Sequence, residues 1–210
     1  MPNPSGRLTR PLRRALTLTA AAALLGTSAA VAAPAPEPAP SGAAAHPYRE
    51  LLPFADLSAR RLLTADLVAA AKWGTGSPVD DPVRERQVLA EVARQAVAVG
   101  ADPRLTVRIF RDQIEANKSV QRGLFARWTA DPASAPAERP DLARVREEIN
   151  RLDRALVLTV ADTAGARAGR FCAGLLTAGA ARVAHDRRLD ALHTGALARA
   201  LPSVCERTAG

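Results

Sequence analysis

Arg61 and Lys72 stand eleven residues apart in a stretch whose apolar residues, Phe54, Leu57, Ala65 and Val68, recur at helical spacing. Eleven residues make about three turns, so the two cations share one face, about 16 Å apart. Asn117 and Gln121 raise the same question with neutral groups. They fill the inward positions between Ile114 and Leu124 on the stripe Phe110, Ile114, Leu124, Trp128, where an amphipathic helix should bury apolar side chains. Asp81, Arg84 and Glu85 precede Val88 and Val92 on a third stripe, and Arg146 borders a fourth formed by Leu142, Ile149 and Leu156. Buried cations need anions. Here Arg61, Lys72, Arg84 and Arg146 outnumber the nearby acids Asp81 and Glu85. A hollow lined by these residues would suit a small dianion gripped by fixed guanidinium and ammonium groups.

Each of these residues also has a plainer explanation. An arginine at the edge of a stripe can lay its stem over the core and keep its head in water. Asn117 and Gln121, one turn apart, can hydrogen-bond each other. Other site chemistries find no pattern: no Ser/His/Asp or Cys/His arrangement has a supporting local motif. His185 and His193 lack the spacing of metal ligands, so no metal site is expected. There is no Walker or dinucleotide glycine signature.

The elements that must position these residues read as helices throughout. The first runs from about Pro47 to Trp73 and stops at Gly74 and Gly76. Asp81-Pro82 and Asp102-Pro103 each pair an N-cap with proline at the first helical position. They start helices that reach Val99 and about Thr129. "DPASAPAERP", residues 131–140, is a breaker. A fourth helix begins at Asp141 and weakens toward Gly165, and two shorter ones cover about Phe171 to His185 and Arg188 to Ala200. The expected fold class is all-α, a single-domain bundle of about six helices.

Residues 1–33 are set apart as a signal peptide: Arg7, Arg10, Arg13 and Arg14 precede the modestly apolar run "ALTLTAAAALLGTSAAV" and small-residue cleavage sites near Ala32 and Ala33. The Arg13-Arg14 pair leaves both general and twin-arginine export open. The Pro/Ala-rich stretch 34–46 reads as a disordered spacer, and the folded domain as 47–210, with a main helical half over 47–131 and a second half over 140–210. An exported, extracellular location follows, with no membrane association once the signal is removed. The formal charge of +8 falls to +4 without the four leader arginines. Arginine is spread over every helix and aromatics are 3% of the chain, so no nucleic-acid partner is expected. Only Lys72 and Lys118 among 29 basic residues are lysines, which hints that a compact ammonium is wanted at each. Cys172 and Cys205, an even pair in an exported chain, read as a disulfide.

Five stretches, in order, resemble the all-helical, type II-like chorismate mutases: "ARRLLTADLVAAAKW", "DDPVRE", "VRIFRDQIEANKSVQ", "WTADPASAP" and "PDLARVREEINRLDRAL". The resemblance runs from about Pro47 to the C-terminus. The leader and the two cysteines are similar to those of the family's secreted subclass. It implies a secreted, monofunctional enzyme of the shikimate pathway, an isomerase that converts chorismate to prephenate by a Claisen rearrangement. No cofactor, covalent intermediate, acid, base or nucleophile is implied.

By the same resemblance, Arg61 and Arg146 bind the substrate carboxylates. Lys72 reaches the ether oxygen and the neighbouring carboxylate, and Gln121 donates to the ether oxygen from the opposite side. Arg84 is a third clamp, Glu85 grips the ring hydroxyl, Asp81 stands in the accompanying loop, and Asn117 touches the substrate. Lys72, Gln121 and Arg61 are the implied catalytic residues. Val88 departs from some secreted relatives, which have a polar residue there; Gln87 stands beside it. The helix bearing Arg146 looks like a second copy of the one that supplies the cross-chain arginine in the intracellular subclass. A complete active site within one chain is therefore expected, together with a homodimer.

Overall fold

A computed structural model describes residues 41–205; the expected signal segment and cleavage sites lie outside the described residues. Seven α-helices and one 3-10 turn make up the order α1 (Ser41–Lys72), α2 (Pro82–Ala98), α3 (Pro103–Ala130), the turn Pro132–Ser134, α4 (Leu142–Asp162), α5 (Ala164–Ala168), α6 (Cys172–Asp186) and α7 (Ala191–Arg199). α1 begins inside the stretch read as spacer and carries Pro47 and Pro53 within it.

The starts follow from caps. Asp81, Asp102, Asp141 and Asp190 each accept a backbone N–H from the first turn of the following helix, at 2.8–2.9 Å. The N-cap side chain thereby satisfies a donor that no intrahelical carbonyl can reach. α1 and α2 end at glycines in the left-handed region, Gly74 at φ +70° and Gly100 at φ +75°, a conformation that side chains with a Cβ resist. The short α5 is the element without a counterpart in the expected helices. It follows a break at Thr163, where Thr159 and Thr163 turn their hydroxyls back onto the carbonyls of Ala155 and Thr159 and compete with the regular ladder.

α1 runs through the middle, packed against α3, α4 and α6, while α2 lies against α3 and α4 and α7 against α3, α1 and α6. Its buried face alternates bulk with alanine: Leu51, Phe54 and Leu62 beside Ala55, Ala59, Ala65 and Ala69. The small residues let three neighbouring helices approach one axis, and the large ones fill the space between them at interior density. Near its C-terminal end, Trp73 packs edge-on against Phe125 and Trp128 of α3, with ring centroids 5.2 and 5.4 Å away. That cluster packs the residue after Lys72 against α3. At the other end of the chain Cys172 and Cys205 are joined in a disulfide, which ties the start of α6 to the segment after α7.

Candidate active site

One hollow opens where α1, α2, α3 and α4 meet, with about 690 Å³ of space counting its solvent-open mouth. Arg61 and Lys72 of α1, Arg84 and Glu85 of α2, Asn117 and Gln121 of α3, Arg146 of α4 and Asp81 of the α1–α2 loop all line it. Val68, Val79, Val88, Ile114, Leu142 and Ile149 supply the apolar wall, and Lys118 also reaches it. All eight residues named from the sequence are thus brought together, none of them on a helix back. Val88 places an apolar surface in the hollow at its expected position, and Gln87 faces a neighbouring depression instead.

Helical periodicity accounts for most of this. Positions 61, 68 and 72 repeat at seven and four residues, as do 114, 117 and 121 at three and four. Each helix therefore turns polar groups inward over a short span and reverts to core on either side. On α3 the polar pair is bounded by Phe110 and Leu124, both buried.

The charges balance differently from the count made on the sequence. Arg61, 5% exposed, is not waiting for a ligand to neutralise it. Its Nε donates to Asp153 Oδ1 at 2.6 Å, its Nη1 donates to the Gln113 carbonyl at 3.2 Å, and the guanidinium lies over the Phe110 ring. Asp153, buried on α4, is the acid that the sequence count omitted. Glu85 is engaged too, by Lys118 at 3.2 Å. Among the described residues, Lys72, Arg84 and Arg146 form no salt bridge. Arg84 reaches Asn150 Oδ1 at 3.4 Å. Three cations without a carboxylate partner, on three helices, leave the hollow electropositive, since Glu85 is taken by Lys118 and Asp81 is the remaining lining carboxylate.

Lys72 is preorganised by neutral groups. Its ammonium donates to the Pro78 carbonyl at 2.8 Å and the Val79 carbonyl at 3.3 Å. Burial pulls its pKa below the ordinary value of 10.5; the Asp81 carboxylate opposes that and the Arg146 guanidinium adds to it.

The amide pair realises the plainer explanation, and both amides line the hollow as well. Gln121 Nε2 donates to Asn117 Oδ1 at 2.7 Å, and Asn117 Nδ2 approaches the Arg61 carbonyl at 3.5 Å. Turning Gln121 over would set its oxygen against the Asn117 oxygen. Turning both would set the Asn117 oxygen against the Arg61 carbonyl. The chain of contacts therefore orients both amides. One hydrogen of Gln121 Nε2 is left uncommitted, and its buried Oε1 has no hydrogen-bond partner.

The arrangement offers fixed positive charge, one committed amide and apolar walls, with no nucleophile against a base. That is equipment for binding and orienting a small anion and for stabilising charge that develops within it. Reasoning from the sequence missed Asp153, Gln113 and Lys118. The first two carry no local signal; Lys118 carried one, as a lysine kept among arginines.

Comparison with known proteins finds several similar chains. A family model described as chorismate mutase type II matches residues 54–122. The secreted chorismate mutase of Mycolicibacterium smegmatis is 39% identical over 163 residues, spanning 78% of this chain and 90% of that protein. The secreted chorismate mutase of Mycobacterium tuberculosis is 34% identical over 164 residues, 78% of this chain and 82% of that protein. Among solved structures, the chorismate mutase from Burkholderia phymatum superposes with a TM-score of 0.73 at 37% identity, covering 77% of this chain and 99% of that one.

Proposed function

This chain belongs to the chorismate mutase family, whose members convert chorismate to prephenate, and from that premise we propose that the hollow between α1 and α4 is its active site. The enzyme is an isomerase that works without a cofactor. The observation that carries the assignment of the site is the convergence of eight polar residues from three helices of the first half, one loop and α4 on a single hollow.

Chorismate brings two carboxylates and an ether bridge. Arg61 and Arg146 take the carboxylates, and Arg84 provides a third clamp near α4. As the C–O bond breaks, the ether oxygen gains negative charge. Lys72 and Gln121 meet it from opposite sides, with donors that are in place before the reaction begins. Glu85 accepts from the ring hydroxyl, and Asp81 and Asn117 complete the polar rim. Holding the enolpyruvyl arm over the ring supplies the orientation that a unimolecular rearrangement needs. No proton moves and no bond to the protein forms. Arg146 comes from the same chain as Arg61, so one chain carries the whole constellation.

The enzyme is secreted in this reading, supported by relatives named secreted chorismate mutases and by the signal-like pattern of residues 1–33. A homodimer follows from the family resemblance. Purified protein given chorismate alone should produce prephenate. Lys72→Ala should lower kcat by roughly 10²- to 10³-fold, the loss typical of one electrostatic donor, with an unchanged helical spectrum. Wild-type turnover in that variant would remove Lys72 from the chemistry. Absence of prephenate formation by the intact enzyme would remove the assignment altogether.

A further inference from the structure

Lys118 is one of only two lysines in an arginine-rich chain, and the reading of the site gives it no task. It follows Asn117 on α3, lines the hollow and is buried. Its ammonium lies 3.2 Å from Glu85 Oε1, 3.1 Å from Asp80 Oδ1 and 2.5 Å from Glu115 Oε1. These carboxylates come from three places: the first turn of α2, the α1–α2 loop and α3 itself. Arg122, one turn further along α3, takes the same Asp80 at 2.7 Å.

An ammonium has three donors that can diverge toward three acceptors. A guanidinium is a planar fork suited to one bidentate partner. Three separate carboxylates around one point therefore call for lysine, which is the residue this chain otherwise avoids. Burial alone would lower the Lys118 pKa, but its bonds to Glu115, Asp80 and Glu85 outweigh that and raise it above the ordinary lysine value. The group stays charged across the working range of pH.

We propose that Lys118 is a positioning residue for Glu85. It anchors the Glu85 carboxylate at the wall of the hollow and ties the first turn of α2 to α3, so that Glu85 meets the substrate from a fixed place. The inference rests on the reading of Glu85 as a substrate-binding group. Without the ammonium, Glu85 would stand among Asp80, Asp81 and Glu115 with Lys72, Arg84, Arg122 and Arg146 as the remaining nearby cations. It would lose its anchor to α3 and swing away.

The test is a double-mutant cycle on kcat/KM. Lys118→Met should lower kcat/KM roughly ten- to a hundredfold, the scale on which a misplacement of about 1 Å costs rate. In a Glu85→Gln background the same substitution should cost less than about threefold, because coupled residues fail to add. Lys118→Arg should recover part of the loss. A full penalty in both backgrounds would mean that Lys118 serves only the fold, and wild-type kcat/KM in Lys118→Met would overturn the inference directly. Glu85→Gln alone reports on the underlying reading: if it leaves kcat/KM unchanged, Glu85 binds no substrate and the inference falls with it. Should Lys118→Met not fold, Lys118→Gln enters the same cycle and is judged by the same outcomes.

Discussion

Nε of Arg61 lies 2.6 Å from Oδ1 of Asp153, 92 positions later in the chain, with both side chains buried. The pair joins α1 to α4 and aims one guanidinium edge away from the hollow. Removing one partner strands the other charge in the interior, a loss of about 3–5 kcal/mol. Asp153→Ala should therefore lower stability by that amount in urea unfolding and reduce kcat/KM as well. Replacing both partners, Asp153→Leu with Arg61→Met, should restore much of the stability but not the activity. If Asp153→Ala unfolds within about 1 kcal/mol of wild type, the pair does not anchor the two helices.

The role proposed for Gln121 predicts the pH profile. A glutamine amide donates at any pH, so turnover should be nearly flat from about pH 6 to pH 8. In the proposed mechanism the charged form of Lys72 is the active one, and its pKa lies below 10.5. Activity should therefore fall as pH rises through that lowered value, earlier than for a free lysine. In Gln121→Glu the side chain donates only while protonated, so the variant should be most active in acid and lose rate as pH rises. Stopped assays across the pH range, with folding checked at each point, measure all three. A Gln121→Glu variant with a wild-type profile would take Gln121 away from the ether oxygen.

His193 predicts a pH dependence of stability. Its Nδ1 is 2.6 Å from Asp190 Oδ1 and its Nε2 is 2.9 Å from Asp66 Oδ1, and Arg127 approaches the other Asp190 oxygen at 3.6 Å. A neutral imidazole has one N–H, so both contacts are donated only by the protonated ring. Burial pulls the His193 pKa down, but the bonds to Asp190 and Asp66 outweigh it and raise the pKa above 6.5. A folded-state pKa above the unfolded one gives stability that is complete below about pH 6.5 and lost as pH rises through the raised value. Asp190 works in the opposite sense. The His193 backbone N–H is the main influence that holds its pKa below the ordinary 3.8, so its contribution is lost only on strong acidification. Urea midpoints should fall from pH 6 toward pH 9, and His193→Gln should flatten that slope. An unchanged slope in the variant would assign the effect to another group.

The disulfide separates lifetime from turnover. Cys172 and Cys205 are bonded across a sequence separation of 33 and neither touches the hollow. Cys172→Ser with Cys205→Ser should lose roughly 3–4 kcal/mol of stability in the chain-entropy treatment. At temperatures where the variant remains folded, kcat should stay within about twofold of wild type. A drop in kcat with stability unchanged would reverse that division.

Much of the site was legible because it is periodic. Positions 61 and 72, 117 and 121, and 146 between Leu142 and Ile149 can be assigned to inner faces by counting turns, and the Asp-Pro caps locate the helices that carry them. What could not be read was pairing across the chain. Asp153 has the appearance of an ordinary polar residue on α4 until α1 is laid beside it, so Arg61 counted as unpaired when it is not. The carboxylates that meet Lys118 lie in three segments, and nothing in any one of them announces the others. Thr163 gave no signal of the break before α5, because a threonine hydroxyl competes for a carbonyl only in the folded geometry. For Asn117 and Gln121 the two possibilities coexist: the amides bond each other and line the hollow.

The two carbonyl contacts of Lys72 bear on how the substrate is received. A free lysine on a surface samples many rotamers, and gripping an anion would mean surrendering that freedom at the moment of encounter. Here the freedom is already surrendered during folding, to the peptide oxygens of Pro78 and Val79. In the proposed mechanism an arriving anion would exchange weak neutral acceptors for a charged one, and the side chain would hardly have to become more ordered. The α1–α2 loop, which looks like a mere connector, is in that sense a stand-in for the guest.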